Sequence, residues 1–137
     1  MNIYVILILV FILLTFVLAL YVFVKQSFSR GLTDEDLVYI KAHWEDVNNI
    51  VDENPIKAIL DADKILDYAL SRCGFEGSLG EKLKMAAPRF YDVNEVWAAH
   101  KLRNTVAHEL TEELEERDVK VALKRFKRAL KDLGARL

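Results

Sequence analysis

The chain has 137 residues, 53% of them hydrophobic and 29% charged, with a formal net charge of −2. That length accommodates one small domain beyond any targeting segment, and so near-neutral a balance excludes the long-range pull of a general polyanion binder. A single cysteine, Cys73, excludes an intramolecular disulfide and agrees with a reducing compartment.

Most of the hydrophobic excess is N-terminal. The stretch IYVILILVFILLTFVLALYVFV, Ile3 to Val24, carries no charge, Gly or Pro. As a helix its length is about 33 Å at 1.5 Å per residue, enough to cross a bilayer. Backbone groups in hydrocarbon must pair within their own segment, which a helix achieves, and Tyr4 and Tyr21 sit near the two ends where amphipathic rings favour the interface. A cleaved signal peptide fits poorly: there is no basic n-region, the apolar run is too long, and no small-x-small cleavage site follows. Lys25 and Arg30 follow the span and no Lys or Arg precedes it, so the positive-inside rule places the C-terminal domain in the cytoplasm, on a single-pass anchor in the cell membrane. The expected organisation is an anchor over residues 1–25, a linker over 26–32 and a helical domain over 33–137.

Thr33 with Asp36 forms a capping-box pattern at the start of the first domain helix, whose apolar residues Leu37, Ile40, Trp44, Val47 and Val51 step by three and four. Asn54-Pro55 closes it and opens the next helix, which runs to about Arg72 or Cys73 and stops at Gly74. Ser78 with Glu81 repeats the capping signal for a short helix ending before Pro88, and Asp92 opens another. An acidic run from Glu109 to Glu116 precedes the last helix, about Val119 to Leu133. That helix is strongly two-faced, with Leu123, Phe126 and Leu130 on one side and Lys120, Lys124, Lys127 and Lys131 on the other. No segment alternates like a strand. The fold class is therefore all-α, a bundle of four main helices (four to five in all) behind one transmembrane helix.

Polar residues break two apolar faces. On the helix that carries AHKLRNTVAHEL, residues 99–110, Val96, Ala99, Leu102, Val106 and Leu110 form the core side, His100, Asn104 and His108 a neighbouring polar stripe, and Arg103 falls within the apolar sector. A guanidinium there keeps its charge and needs a carboxylate. The helix after Pro55 supplies the complement, because Asp63 and Asp67 lie amid Ile56, Ile59, Leu60, Leu66 and Leu70. Asp63, Asp67 or both are expected to meet Arg103 across the interface, the alternative being two solvated aspartates at a groove.

Arg103, Asn104 and His108 are also residue types suited to metal-independent RNA cleavage. A histidine moves the 2′-hydroxyl or leaving-group proton, an arginine stabilises charge on phosphorus, and Asn104, one turn from His108, orients it or holds a phosphate oxygen. A metal site is not expected, since His100 and His108 lie about 12 Å apart along the helix. No cofactor motif is present. Cys73, at a helix end with no adjacent histidine, reads as a buried thiol, and His43 as a surface residue. The lysine face of the last helix can meet RNA or anionic lipid, but beside an acidic run it reads first as a solvated or self-paired face, and DNA binding is not expected.

WAAHKLRNTVAHE, preceded by KAILDADKILDYAL and followed by an amphipathic helix ending in KDLG, resembles the HEPN domain superfamily over residues 55–134. That superfamily's signature is an arginine, commonly followed by a polar residue, then a histidine four to six positions later. Arg103, Asn104 and His108 match it. The resemblance implies an all-α domain that forms homodimers, acting as an endoribonuclease at the dimer interface or as a non-catalytic interaction module. The membrane span lies outside the resemblance. Between the two functions, the dimerising module is slightly favoured.

In a protease-protection assay on intact cells, the domain is expected to survive external digestion and the mature chain to retain residues 3–24. External cleavage of the domain overturns the expected orientation, and a mature chain lacking that segment overturns the anchor.

Overall fold

In the computed structural model, residues 2–27, 30–108 and 114–137 are described. They form six α-helices and one short 3₁₀ turn, with no strand among the described residues. Helix α1, Ile3–Ser27, contains the apolar run; Ile3–Val24 is long and apolar enough to cross a membrane, and none of it is buried by the rest of the chain. The helical bundle comprises α2 (Asp34–Ile50), α3 (Pro55–Arg72), α4 (Leu79–Ala86), α5 (Val93–His108) and α6 (Glu116–Asp132), with the 3₁₀ turn Ala87–Arg89 after α4.

Local chemistry sets the helix starts. At α2 the Thr33 hydroxyl accepts from the Asp36 amide while the Asp36 carboxylate accepts from the Thr33 amide. Ser78 and Glu81 repeat this exchange at α4, and Asn54 accepts from the Lys57 amide at α3, where Pro55 occupies the first turn and forfeits no helical bond. Helices α3 and α6 end alike. The amides of Gly74 and Phe75 return to the carbonyls of Ser71 and Leu70, and those of Gly134 and Ala135 to Lys131 and Leu130. Both glycines have positive φ, +92° and +108°, the left-handed conformation that this double-bonded helix end requires. The following residue folds back onto the last turn in each case, so Phe75 and Ala135 are buried with Leu70 and Leu130.

Helix α3 is the centre of the bundle, packed by α2, α4, α5 and α6. The core gathers Ile40, Trp44 and Val47 of α2, Ile59, Leu66 and Leu70 of α3, Leu83 of α4, Val96 and Ala99 of α5, and Phe126 and Leu130 of α6. Most of the expected apolar faces lie here, with two departures. Ile56 is exposed and Leu60 half-buried, since these two, one turn apart, lie at the edge of the α3 face that buries Ile59, Ala62, Asp63 and Leu66; Leu110 lies outside the described residues. Helix α6 begins at Glu116 rather than near Val119, and the acids at 109–113 also lie outside the described residues.

Asp36 does more than cap α2. It is buried, and its carboxylate also accepts from Tyr68 Oη at 3.0 Å and Arg72 Nε at 2.6 Å, tying α2 to the last turns of α3. Burial by itself raises its pKa, but the Thr33 amide and hydroxyl, Arg72 and Tyr68 outweigh that and hold it at about 2, below its ordinary 3.8. A depressed carboxylate stabilises the fold above its unfolded value and loses that contribution as pH falls through the folded one. Unfolding of the detergent-solubilised chain, followed by the fluorescence of Trp44 and Trp97, should therefore show the stability advantage of wild type over Asp36→Asn shrinking between about pH 4 and pH 2. A difference constant over that window excludes this linkage.

Candidate functional site

The α3–α5 interface brings together three of the polar residues singled out by the sequence, Asp63, Arg103 and Asn104, and adds His100 to them. Asp63, in the middle of α3, keeps only 7% of its side chain exposed. Two groups of α5 approach it, His100 Nδ1 at 2.8 Å from Oδ1 and Arg103 Nε at 3.1 Å from Oδ2. Residues 100 and 103 are one turn apart on α5, so both reach a single carboxylate from the same side. Asn104 closes the circuit: its Oδ1 accepts from Arg103 Nη1 at 2.9 Å, and its Nδ2 faces His100 Nε2 at 3.3 Å. With the imidazole proton on Nδ1, His100 donates to Asp63 and accepts from Asn104, so a neutral ring satisfies both nitrogens.

The Arg103–Asp63 contact is electrostatic more than directional. The Nε–H does not point along the 3.1 Å line, and that hydrogen has no aligned acceptor. The guanidinium holds 28% of its side chain in contact with solvent, so water moderates the charge pair.

Asp67 has a different partner. It is 43% exposed and accepts from Lys82 Nζ of α4 at 2.8 Å, while the same ammonium donates to Ser71 Oγ at 2.6 Å. Lys82 is buried, and the sequence contains a signal for it: it lies on the α4 face that carries Leu79, Leu83 and Ala86, opposite Asp67 and Ser71 one turn apart on α3. His100 is a second residue of the site, beyond those the motif and the two apolar faces point to. Its signal is the i, i+3 and i, i+4 spacing to Arg103 and Asn104, which brings three polar groups to one side of α5.

His108 stands apart. It is the last residue of α5, exposed, and makes no hydrogen bond, ion pair or ring contact with any other described residue. Helical geometry explains the separation, since five residues turn the helix by about 140°. His43 is exposed as well, stacked on Tyr39 with ring centroids 3.9 Å apart. Cys73 is fully buried, and burial pushes its thiol pKa up against a smaller opposing effect of Arg89. Among the described residues no three His, Cys, Asp or Glu side chains converge as metal ligands would.

Beside the circuit, a shallow open groove on α5 is lined by Asn94, Trp97, Ala98, His100, Lys101 and Asn104. The Trp97 ring meets His100 edge-on at 6.0 Å. Comparison of the chain with family models, with curated proteins and with solved structures gave no match.

Removing one partner of a mostly buried pair strands the other. Arg103→Ala is expected to destabilise the bundle by about 2 to 4 kcal/mol, toward the lower end because of the solvent contact, and Asp63→Leu combined with Arg103→Met to recover only part of that loss, because His100 then lacks its acceptor. His108→Ala should stay within about 0.5 kcal/mol of wild type, as an exposed helix-end residue. Urea titrations read by tryptophan fluorescence decide the order of the three; an Arg103→Ala protein as stable as wild type rules out the circuit as a structural element.

Proposed function

We propose that this chain is a membrane-anchored, HEPN-like helical module that acts by self-association and protein interaction, with no chemical step at the Arg103-Asn104-x-x-x-His108 motif. One observation carries this reading. Arg103 and Asn104 are engaged by Asp63 and His100 of the same chain, while His108, the residue that would move a proton, is outside that circuit. A general acid or base must reach the proton it transfers, and a phosphate-binding arginine must offer its donors to the phosphate. Neither condition is supported by the arrangement within one chain. The half-exposed Trp97 beside a shallow groove is the kind of aromatic that anchors an interface, and an anchored chain meets its copies in two dimensions.

The endoribonuclease reading keeps one observation in its favour: Arg103 retains solvent contact, and His108 is open to a partner copy. In a symmetric dimer each chain would present the same pair, so residues apart in one chain can meet across the two-fold axis.

One experiment separates the two. The full-length protein in detergent micelles is incubated with single-stranded RNA in the presence of a chelator, beside His108→Ala, and its mass is determined by sedimentation. The interaction module predicts a dimer and no difference in RNA ends between the two proteins. Cyclic-phosphate ends that vanish in His108→Ala establish the nuclease, and a strict monomer at all concentrations overturns self-association.

A further inference from the structure

Helix α6 is bound to the bundle by one face and presents a strong positive field with the other. It carries seven Lys and Arg against three acids, whereas α2, which also packs on α3, carries five acids against one lysine. At 100° per residue, Lys120, Lys124, Lys127 and Lys131 fall within about 60° of one another, and with Arg117 and Arg128 they form a sector centred about 150° round the helix from its buried residues. The sector therefore points away from the core. Lys120 is engaged by Glu116, and Arg128 lies 4.2 Å over the Tyr91 ring. Among the described residues, Lys124, Lys127 and Lys131 form no ion pair.

The position of this face relative to α1 follows from a series of contacts at one end of the bundle. The Arg30 amide donates to the Cys73 carbonyl at 2.9 Å, which pins the chain just after α1 to the end of α3. The Arg89 side chain is near enough to the Cys73 thiol to oppose the rise in pKa that burial causes, and two residues later the Tyr91 amide donates to Asp132 Oδ2 at 3.0 Å. The C-terminal half of α6 thus lies at the end where the chain departs toward α1. Three peptide units separate Ser27 from Arg30, a reach of at most about 11 Å.

We propose that the outward face of α6, centred on Lys124, Lys127 and Lys131, docks the bundle onto the anionic headgroups of the bilayer that α1 enters. The inference rests on α1 being a membrane anchor. The tether favours lipid over a free polyanion, because it holds the lysines within a domain's width of the surface and makes docking intramolecular. An RNA has to approach a chain of net negative charge from solution. Each lysine near an anionic surface contributes about a fivefold preference for the docked state, and the attraction decays within a Debye length.

The test uses the full chain in nanodiscs of phosphatidylcholine alone or mixed with phosphatidylglycerol, doped with a gadolinium lipid, and reads the relaxation of backbone amides. Broadening of the α6 amides is expected in the mixed discs. It should fall severalfold in phosphatidylcholine discs, in about 1 M salt, where the Debye length is about 3 Å, and in the Lys124→Gln, Lys127→Gln, Lys131→Gln variant. Circular dichroism checks that the variant retains its helix content, and single Lys→Gln variants replace it if it does not. Equal α6 broadening in both disc types, stronger broadening of α2, or RNA binding that depends on these lysines without any lipid dependence overturns the proposal. Failure of α1 to stay in the disc after a high-salt wash would instead refute the anchor itself.

Discussion

A carboxylate inside a helical bundle is tolerable only if its charge is answered, and Asp63 imposes that condition on α3 and α5. Its two oxygens are met by His100 and Arg103, and Asn104 links those two to each other. Charged pairs of this kind add little net stability compared with apolar packing, because desolvation offsets the attraction. They do select register. In the observed register both oxygens of Asp63 are answered, and sliding α5 by one turn along α3 would leave one of them without its partner.

The same logic recurs at the other two buried charges. Asp36 of α2 is answered by Tyr68 and Arg72, and Lys82 of α4 by Asp67 and Ser71. All three polar connections end on α3, so the central helix carries a separate charged fastening for α2, α4 and α5. Helix α6 differs. It reaches α3 through Phe126, Leu130 and their neighbours, and its described ion pairs go to its own Glu116 and to Glu95 of α5. Most of its lysines are directed outward, and the charge divides between an acidic α2 and a basic α6 despite a net charge near zero.

Separation of Arg103 from His108 bears on function through geometry. Both belong to one helix and one short motif, yet one faces a carboxylate of α3 and the other faces solvent at the helix end. A motif defined by spacing specifies positions on a helical wheel; which of those positions meets a substrate depends on what the neighbouring helix already supplies. Here the neighbour supplies Asp63, and Arg103 acquires an intramolecular partner.

Much of the architecture was legible in the residues alone. Thr33 with Asp36, Asn54 with Pro55, Ser78 with Glu81, and Gly74 mark helix ends through hydrogen bonds to amides and carbonyls a few residues away, and such bonds form whatever the rest of the fold does. Ile3–Val24 is legible for the same reason, since its length and lack of charge are properties of the segment. The need of Arg103 for a carboxylate could also be read from its place in an apolar sector. The choice between Asp63 and Asp67 could not, because these residues are one turn apart on the same face and differ only in which of α4 and α5 lies against them. Nor could the roles of His100 and Lys82, or the second role of Asp36 as acceptor for Tyr68 and Arg72. Each depends on a pairing between helices distant in sequence, and packing alone decides which side chains share a buried interface.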